Sequence, residues 1–339
     1  MHLRGIVYAF IASLIFGLGA VLVQLLGKQI DATVVAFLNL SIGGLLVSLI
    51  VLFTGAPLFK ALRGFQRREW LDLFLLACPG TSLSLLIIVA GFARTSALVG
   101  GFLLQFNGIA GLFFAFILLR ERVGLKQGIG TVLLLVGGVL VVLKGTQAIT
   151  LGSGVGDLFV LLGSIGIGFS FIPAKRLSTR IDSIPLVAIR LLLGAATLLP
   201  ILAFQFIIGG AHSIQWQPSL PTLLIVLPLY IVTNFCLGYI IQQEGLRHIQ
   251  AWEMSAITQT VPLFATIFAL LILHDSMTII QALGGLIAIF GGVIVSISSE
   301  TPAPAALTAN QAVQFETRAA QALPPVPTSA PAPTTNEPG

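Results

Sequence analysis

Apolar positions along this chain come in long unbroken stretches rather than in strict alternation. Charge-free runs cover residues 5–24, 32–59, 73–93, 95–119, 127–143, 254–273 and 276–299. Most reach the roughly 20 residues that a helix needs to cross the hydrocarbon core of a bilayer. The run from Leu191 to Gln243 is too long for one crossing, and Gly209-Gly210-Ala211-His212-Ser213 with Pro218 and Pro221 supplies its break. The pattern predicts an all-α integral membrane protein with ten transmembrane helices, at about 4–26, 32–54, 70–92, 97–119, 125–144, 155–175, 184–208, 219–241, 251–273 and 278–298.

The stretches fall into two sets of five. At an offset of 151, Gly5, Ser13, Gly17, Ile30, Asp31, Leu40 and Gly43 meet Gly156, Ser164, Gly168, Ile181, Asp182, Leu191 and Gly194. At an offset of 154, Gly91, Gln105, Gln127, Gly130, Gly137 and Gly138 meet Gly245, Gln259, Gln281, Gly284, Gly291 and Gly292. Shared Leu and Val mean little between apolar segments, so the matched glycines and polar residues carry the repeat. Because five is odd, the two copies cross the membrane in opposite senses. This predicts inverted five-helix repeats at 1–150 and 151–299, the arrangement by which secondary transporters open a midplane site alternately to each side.

Charge then sets the orientation. With the N-terminus inside, Arg4, Lys60, Arg63, Arg67, Arg68, Arg120, Arg122, Lys126, Lys175, Arg176, Arg180, Arg247 and Arg318 are cytoplasmic, against Lys28, Arg94 and Lys144 outside. That bias predicts both termini on the cytoplasmic side of the inner (plasma) membrane. Charged residues are 9% and hydrophobic ones 56% of the chain, a balance that excludes a water-soluble domain. The net charge of +5 is dealt out loop by loop, so it is no nucleic-acid footprint. Trp70, Trp216 and Trp252 sit at span boundaries and read as interface anchors. Met1 to Ala20 has the form of a signal peptide, but Gly5, Ser13 and Gly17 have partners in the sixth span, which predicts retention. Cys78 and Cys236 lie within spans and do not correspond, indicating neither a disulfide nor a metal pair. Residues 300–339, rich in Pro, Ala, Thr and Ser, read as a disordered cytoplasmic tail.

Gly91-Phe-Ala-Arg-Thr-Ser-Ala97, Leu118-Leu-Arg-Glu-Arg122 and Gly137-Gly138-Val139, repeated as Gly245-Leu-Arg-His, Leu273-His-Asp-Ser and Gly291-Gly292-Val293, resemble the unit of the drug/metabolite transporter superfamily in its EamA-like ten-helix branch. The resemblance covers residues 3–298. It implies cytoplasmic termini, a central cavity between the halves, and transport of small metabolites, often export of amino acids or related compounds. The chain departs from the family pattern in places. The proline midway along the fourth and ninth helices is Pro262 in the ninth, but Gly108 stands at the matching place in the fourth. The Glu closing the fourth helix is Glu121, where the second copy has His274-Asp275. An Arg common in the second or seventh helix is Arg190, matched by Asn39.

Candidate substrate-binding residues follow from polar groups at midplane depth. Gln105 and Gln259 each lie about eight residues, or roughly 12 Å, into helices that start from opposite sides, with Asn107, Thr258 and Thr260 close by. Their amides serve either as ligands or as interhelical hydrogen bonds. Gly108 and Pro262 loosen the helix beside them, and Pro79, in Pro79-Gly80-Thr81-Ser82-Leu83-Ser84, interrupts the third span. Arg190, the only full positive charge within a span, is a candidate for a ligand carboxylate or phosphate, or a shallow arginine that snorkels. Thr81, Tyr230, Asn234 and Tyr239 complete the polar set, with Ser13 and Ser164, which either face a cavity or bond back to their own helices. Glu121 and Asp275, just before the fifth and tenth helices, read as caps of those helices. The paired glycines predict close packing of the fifth helix on the tenth.

No Asp or Glu lies deep in a span, the four His are scattered, and no nucleotide loop or metal set is present. The expectation is therefore a secondary transporter without cofactor or metal, with no catalytic residue. Its partners are a small polar or zwitterionic, amino acid-like substrate and the bilayer; oligomeric state stays open. Drugs, nucleotide-sugars and lipid-linked sugars are the alternative cargoes, and a membrane scaffold or sensor is the non-transport alternative.

Overall fold

The computed structural model describes residues 2–27, 29–54, 64–92, 94, 103–121, 123–142, 154–209, 216–273 and 278–298. Among them the chain is helical, and no strand occurs beyond an isolated antiparallel bridge between Ile30 and Trp216. We label the helices α1 (His2–Gly27), α2 (Ala32–Thr54), α3 (67–92), α4 (Phe106–Leu119), α5 (Leu125–Val142), α6 (Val155–Leu177), α7 (Ser183–Gly209), α8 (Thr222–His248), α9 (251–273) and α10 (Ile279–Ser298). Seven are long and apolar enough to cross a membrane, whereas α4, α5 and α10 contribute shorter apolar stretches of 10–17 residues. The tail, Asp275 and the first residues of the expected fourth span lie outside the described residues.

The distribution of polarity is inverted relative to a water-soluble protein. Phe53, Ile207 and Phe290 are 90%, 78% and 71% exposed, while Ser13, Asn39, Gln105, Arg190 and Gln259 are buried. Apolar side chains on the outside suit a lipid solvent, and polar groups inside find partners there.

Glycines set the helix pairings, because lipid supplies no hydrophobic drive between helices and close backbone approach must replace it. A Cβ on Gly137 would fall 2.6 Å from the Gly284 carbonyl and one on Gly291 would fall 2.7 Å from that of Gly130, so α5 and α10 pack backbone to backbone. This is the pairing expected from the glycine spacing. In the same way Gly43 of α2 faces Leu191 of α7 and Gly194 of α7 faces Leu40 of α2. Gly5 meets Gly245 between α1 and α8, and Gly91 meets Gly156 between α3 and α6. All these pairs run antiparallel. Gly17 sits on Phe264 and Ala265 of α9, and Gly168 on Asn107 and Ala110 of α4.

Helix ends are capped by side chains that repeat as well. Gln127 Oε1 accepts from the Gly124 N–H at 2.6 Å and Gln281 Oε1 from the Thr278 N–H at 3.0 Å, so α5 and α10 begin with the same device. Glu121 does not cap α5 as its position suggests. Its carboxylate accepts from the Ala251 and Trp252 N–H groups, each at 3.1 Å, and caps α9 instead. Gln127 already serves the start of α5, and the first amides of α9, which have no carbonyl within the helix to pair with, lie within reach of Glu121. Of the three tryptophans, Trp70 and Trp216 are half exposed as interface anchors require, but Trp252 is 1% exposed. It packs in the apolar core with Leu246 and Met254, because the α8–α9 junction is drawn inward.

Candidate functional site

Two polar loci lie inside the bundle. The first is where α4 and α9 meet, and both helices are interrupted there. Gln105 adopts a turn, with the Gly108 N–H donating to its carbonyl at 3.2 Å. At the matching point of α9, Thr258–Thr260 form a 3₁₀ turn ahead of Pro262, which has no N–H to donate. The Thr258 and Thr260 hydroxyls bond back to the Ser255 and Ile257 carbonyls at 2.8 Å. Ser255 Oγ donates across to the Gly108 carbonyl at 3.1 Å, so the broken turns of the two helices support one another.

The two glutamine side chains meet at this point. As placed, Gln259 Nε2 donates to Asn107 Oδ1 at 2.8 Å. Turned by half a rotation, the amide donates to Gln105 Oε1 at 2.7 Å and accepts from the Gly108 N–H at 2.9 Å. We adopt the second orientation, which removes the oxygen–oxygen contact with Gln105 and gains the Gly108 donor, with the Asn107 amide turned as well so that its Nδ2 donates to the Gln259 oxygen at 2.8 Å; such amides are oriented by their network. Gly108 leaves the room that the Gln259 amide fills, and a Cβ there would displace that amide. Gln105 is 4% and Gln259 1% exposed, and Gln105 Nε2, packed against Gly138, has no acceptor among the described residues.

The second locus joins α3, α7 and α8. Pro79 opens a π-helical turn at Cys78–Leu83, and hydroxyls cover the carbonyls it frees. Thr81 Oγ1 donates to the Leu76 carbonyl at 2.7 Å and Ser82 Oγ to that of Cys78 at 3.1 Å. Arg190 Nε donates to Thr81 Oγ1 at 2.7 Å, and the Arg190 guanidinium lies 4.4 Å from the centre of the Tyr239 ring. Phe16 and Phe235 hold that ring edge-on and tilted. Tyr230 is buried against Phe235, and Asn234 is packed against Gly19 of α1 with its Nδ2 donating to Thr233 Oγ1 at 3.0 Å. Arg190 is 4% exposed, so it is enclosed by the bundle and does not snorkel to the surface.

Of the sequence-derived candidates, Gln105, Asn107, Gly108, Gln259 and Pro262 thus share the first locus. Thr81, Pro79, Arg190, Tyr230, Asn234 and Tyr239 share the second. Ser13 and Ser164 bond back to the Ala9 and Val160 carbonyls at 2.9 and 2.6 Å, and only Ser13 also reaches α9, 3.4 Å from the Ile257 carbonyl. Sequence reasoning missed Ser255, Gly19 and Phe16. Ser255 was readable as one turn before Gln259 on the same helical face; the other two gave no signal apart from their size.

Toward the end where α3 begins, a cleft of about 480 Å³ is lined by Glu69, Asp72, Glu121, Lys175, Arg176 and Arg180, among others. Arg180–Glu69 and Arg176–Asp72 ion pairs, at 2.9 and 3.3 Å, tie α6 and the residues just after it to α3 across it. Lys175 Nζ caps the end of α8 on the Leu246 and Ile249 carbonyls at 2.5 and 2.6 Å. Burial pushes the Glu121 carboxyl above its ordinary value, against the pull of its two backbone donors and of Lys175. Among the described residues no group of His, Cys, Asp and Glu has the arrangement of a metal site.

The sequence profile described as the EamA-like transporter family matches residues 3–143 and again 154–297. An uncharacterized transporter of Methanothermobacter thermautotrophicus is 26% identical over 67% of this chain, a stretch that spans 64% of its own length. The uncharacterized transporter YetK of Bacillus subtilis is 24% identical over 80% of this chain and 81% of its own. A crystal structure described only as that of a protein superposes with a TM-score of 0.72 at 15% identity, over 88% of this chain and 98% of the other, and shows the shared fold. Apolar helices, a polar interior and a twice-matched family profile lead to one assignment: the chain is a multi-pass membrane transporter and belongs to the EamA-like transporter family, within the drug/metabolite transporter superfamily.

Proposed function

We propose that the protein is a secondary transporter that moves a small polar or zwitterionic, amino acid-like metabolite out of the cell across the inner (plasma) membrane by alternating access. In this reading the chain makes ten crossings as two inverted repeats, 1–150 and 151–299, with both termini cytoplasmic. Support comes from the packing. Exchanging each helix for its counterpart five positions on converts α3–α6 into α8–α1 and α4–α6 into α9–α1, and leaves α2–α7, α5–α10 and α4–α9 in place. Two halves related in this way rock against each other about the α4–α9 crossing.

The observation that carries the reading is the amide cluster at that crossing. Gln105 Nε2 is a buried donor without an acceptor, and leaving such a group unpaired costs about 1–3 kcal/mol. A substrate oxygen arriving there satisfies the donor, and the Gln105–Gln259 bond exchanges for bonds to the cargo. The interruptions at Gln105 and at Thr258–Thr260, just ahead of Gly108 and Pro262, let the segments on either side move about each Gln. Counterflow in proteoliposomes tests this: Gln105→Ala and Gln259→Ala should each reduce transport at unchanged folded yield. Normal transport by both variants rules out the crossing as the substrate site.

A further inference from the structure

Arg190 is a full charge inside a membrane-spanning helix with no counter-ion among the described residues. Among the described residues every other Lys or Arg of a helix lies within one turn of a helix end. Thr81, which accepts from Arg190 Nε, brings no charge, and its own proton is committed to the Leu76 carbonyl. No carboxylate among the described residues forms an ion pair with Arg190. Nor does any described residue accept from its two terminal nitrogens. The side-chain atoms that are both sealed and unpaired are Asn39 Oδ1, Gln105 Nε2 and Gln243 Oε1. The Arg190 terminal nitrogens are not among them, so with no acceptor from the described residues each keeps some accessible surface.

Charges inside membrane proteins are costly unless paired, and removing a partner from a buried pair is strongly destabilising. Here no described residue supplies a partner, yet the guanidinium is held at its edge by Thr81 and on its face by Tyr239, which leaves the terminal fork oriented and without an acceptor among the described residues. We propose that this fork binds the carboxylate of the transported molecule, with the Tyr239 ring as the adjoining wall. The inference rests on the carrier reading above and names its substrate class: molecules bearing one carboxylate next to an apolar or aromatic portion.

Two observations favour a carboxylate over a phosphate. A planar carboxylate matches two guanidinium N–H groups in a bidentate pair and cancels the single charge. A phosphate monoester, with a second pKa of about 6, carries close to two negative charges near neutral pH and leaves one without a partner. The repeat points the same way. The counterpart of Arg190 is the neutral Asn39, so only one half of the transporter offers a cation and the cargo docks in one sense.

The test uses the purified full-length protein, reading the rise in thermal stability that ligands produce. The probes are L-amino acids, each beside its C-terminal amide, short-chain monocarboxylates, and inorganic phosphate. Free carboxylates should stabilise the wild type, and the matched amides should bind about 10- to 100-fold more weakly, the worth of a charge-assisted pair. This comparison needs no variant. Arg190→Gln should abolish the discrimination without lowering the ligand-free melting temperature, because a buried unpaired charge has gone, and Arg190→Lys should lose most of it. The proposal is overturned if acids and amides bind alike, if phosphate alone stabilises, if no carboxylate stabilises the wild type, or if discrimination survives in Arg190→Gln. Counterflow keeps the two readings apart. Carboxylate-dependent binding with no transport of any probe sinks the carrier reading alone, whereas transport indifferent to carboxylate and to Arg190 sinks this inference alone.

Discussion

At the α4–α9 crossing the two copies bring the same side chain to one point, Gln105 and Gln259, whereas at the α3–α7–α8 corner Arg190 stands where the first copy has Asn39. The crossing is a shared construction: each helix is interrupted at its glutamine, and each interruption leans on the other through Ser255 and Gly108. The corner is built once, from a π-turn, an arginine and an aromatic wall. What both copies need in order to pack and to bend is therefore duplicated. What the proposed cargo, with its two unlike ends, would use is present among the described residues in one copy.

Substitutions at duplicated positions give the strongest test of that division. Gly17→Leu and Gly168→Leu place a large side chain against α9 and α4, where a Cβ alone already meets the facing backbone. Each should cost about 1–3 kcal/mol or more, and the two losses of melting temperature should be similar. A large loss in one and none in the other would break the equivalence of the halves.

Capping comes next, at a position where the copies diverge. Glu121→Ala should destabilise by about 1 kcal/mol, because two N–H groups at the start of α9 lose their acceptor. The same carboxyl gives a pH signature. Burial raises it above its ordinary value of 4.5, so the folded state takes up the proton before the unfolded state does. Stability from this group therefore rises as pH falls through the folded-state value toward 4.5. Melting curves across that window should show the wild type gaining on Glu121→Gln as the solution is acidified; a gap that widens with rising pH in favour of the wild type would reverse the sign.

Asn39→Leu sharpens the contrast from the other side. Its buried Oδ1 has no donor among the described residues, so a leucine of similar size should be neutral or add up to about 1 kcal/mol, with carboxylate binding unchanged. Loss of binding would bring Asn39 into the site. The smallest effect is expected at the ion pairs beside the cleft. Arg180 is 64% exposed, and Arg180→Gln should cost about 0.2–1 kcal/mol, fading in high salt. The matched position in the first copy is Gln29, which needs no charge: its carbonyl accepts from the Gln217 N–H at 2.9 Å and its Oε1 from the Ser219 N–H at 2.6 Å. Salt should therefore act on the α3–α6 end and spare the α1–α8 end, and site-specific labelling at the two ends would show it.

Much of the frame was legible before any coordinates. Gly137 and Gly291 announced the α5–α10 contact because in lipid only small residues let helices approach, a rule that acts locally. Gln127 and Gln281 were readable as a matched pair, though not as the caps they turn out to be. Glu121 shows where local reading stops. It lies next to α5 in sequence, yet its partners are 130 and 131 residues away. Trp252 failed for a related reason: position at a span boundary says interface, but the boundary itself is packed beneath the Lys175 cap.

Sequence alone determined the solvent of this protein, the run of apolar helices, the duplication and the residues chemically able to act inside it, because each depends on composition, period or register along one chain. Only the tertiary structure decided that Gln105 and Gln259 touch, that Thr81 holds Arg190 from one edge while Tyr239 covers its face, and that Arg190 has no counter-ion among the described residues. Those are distances between helices far apart in the chain, set by how ridges and small residues pack, and no pattern along a single helix contains them.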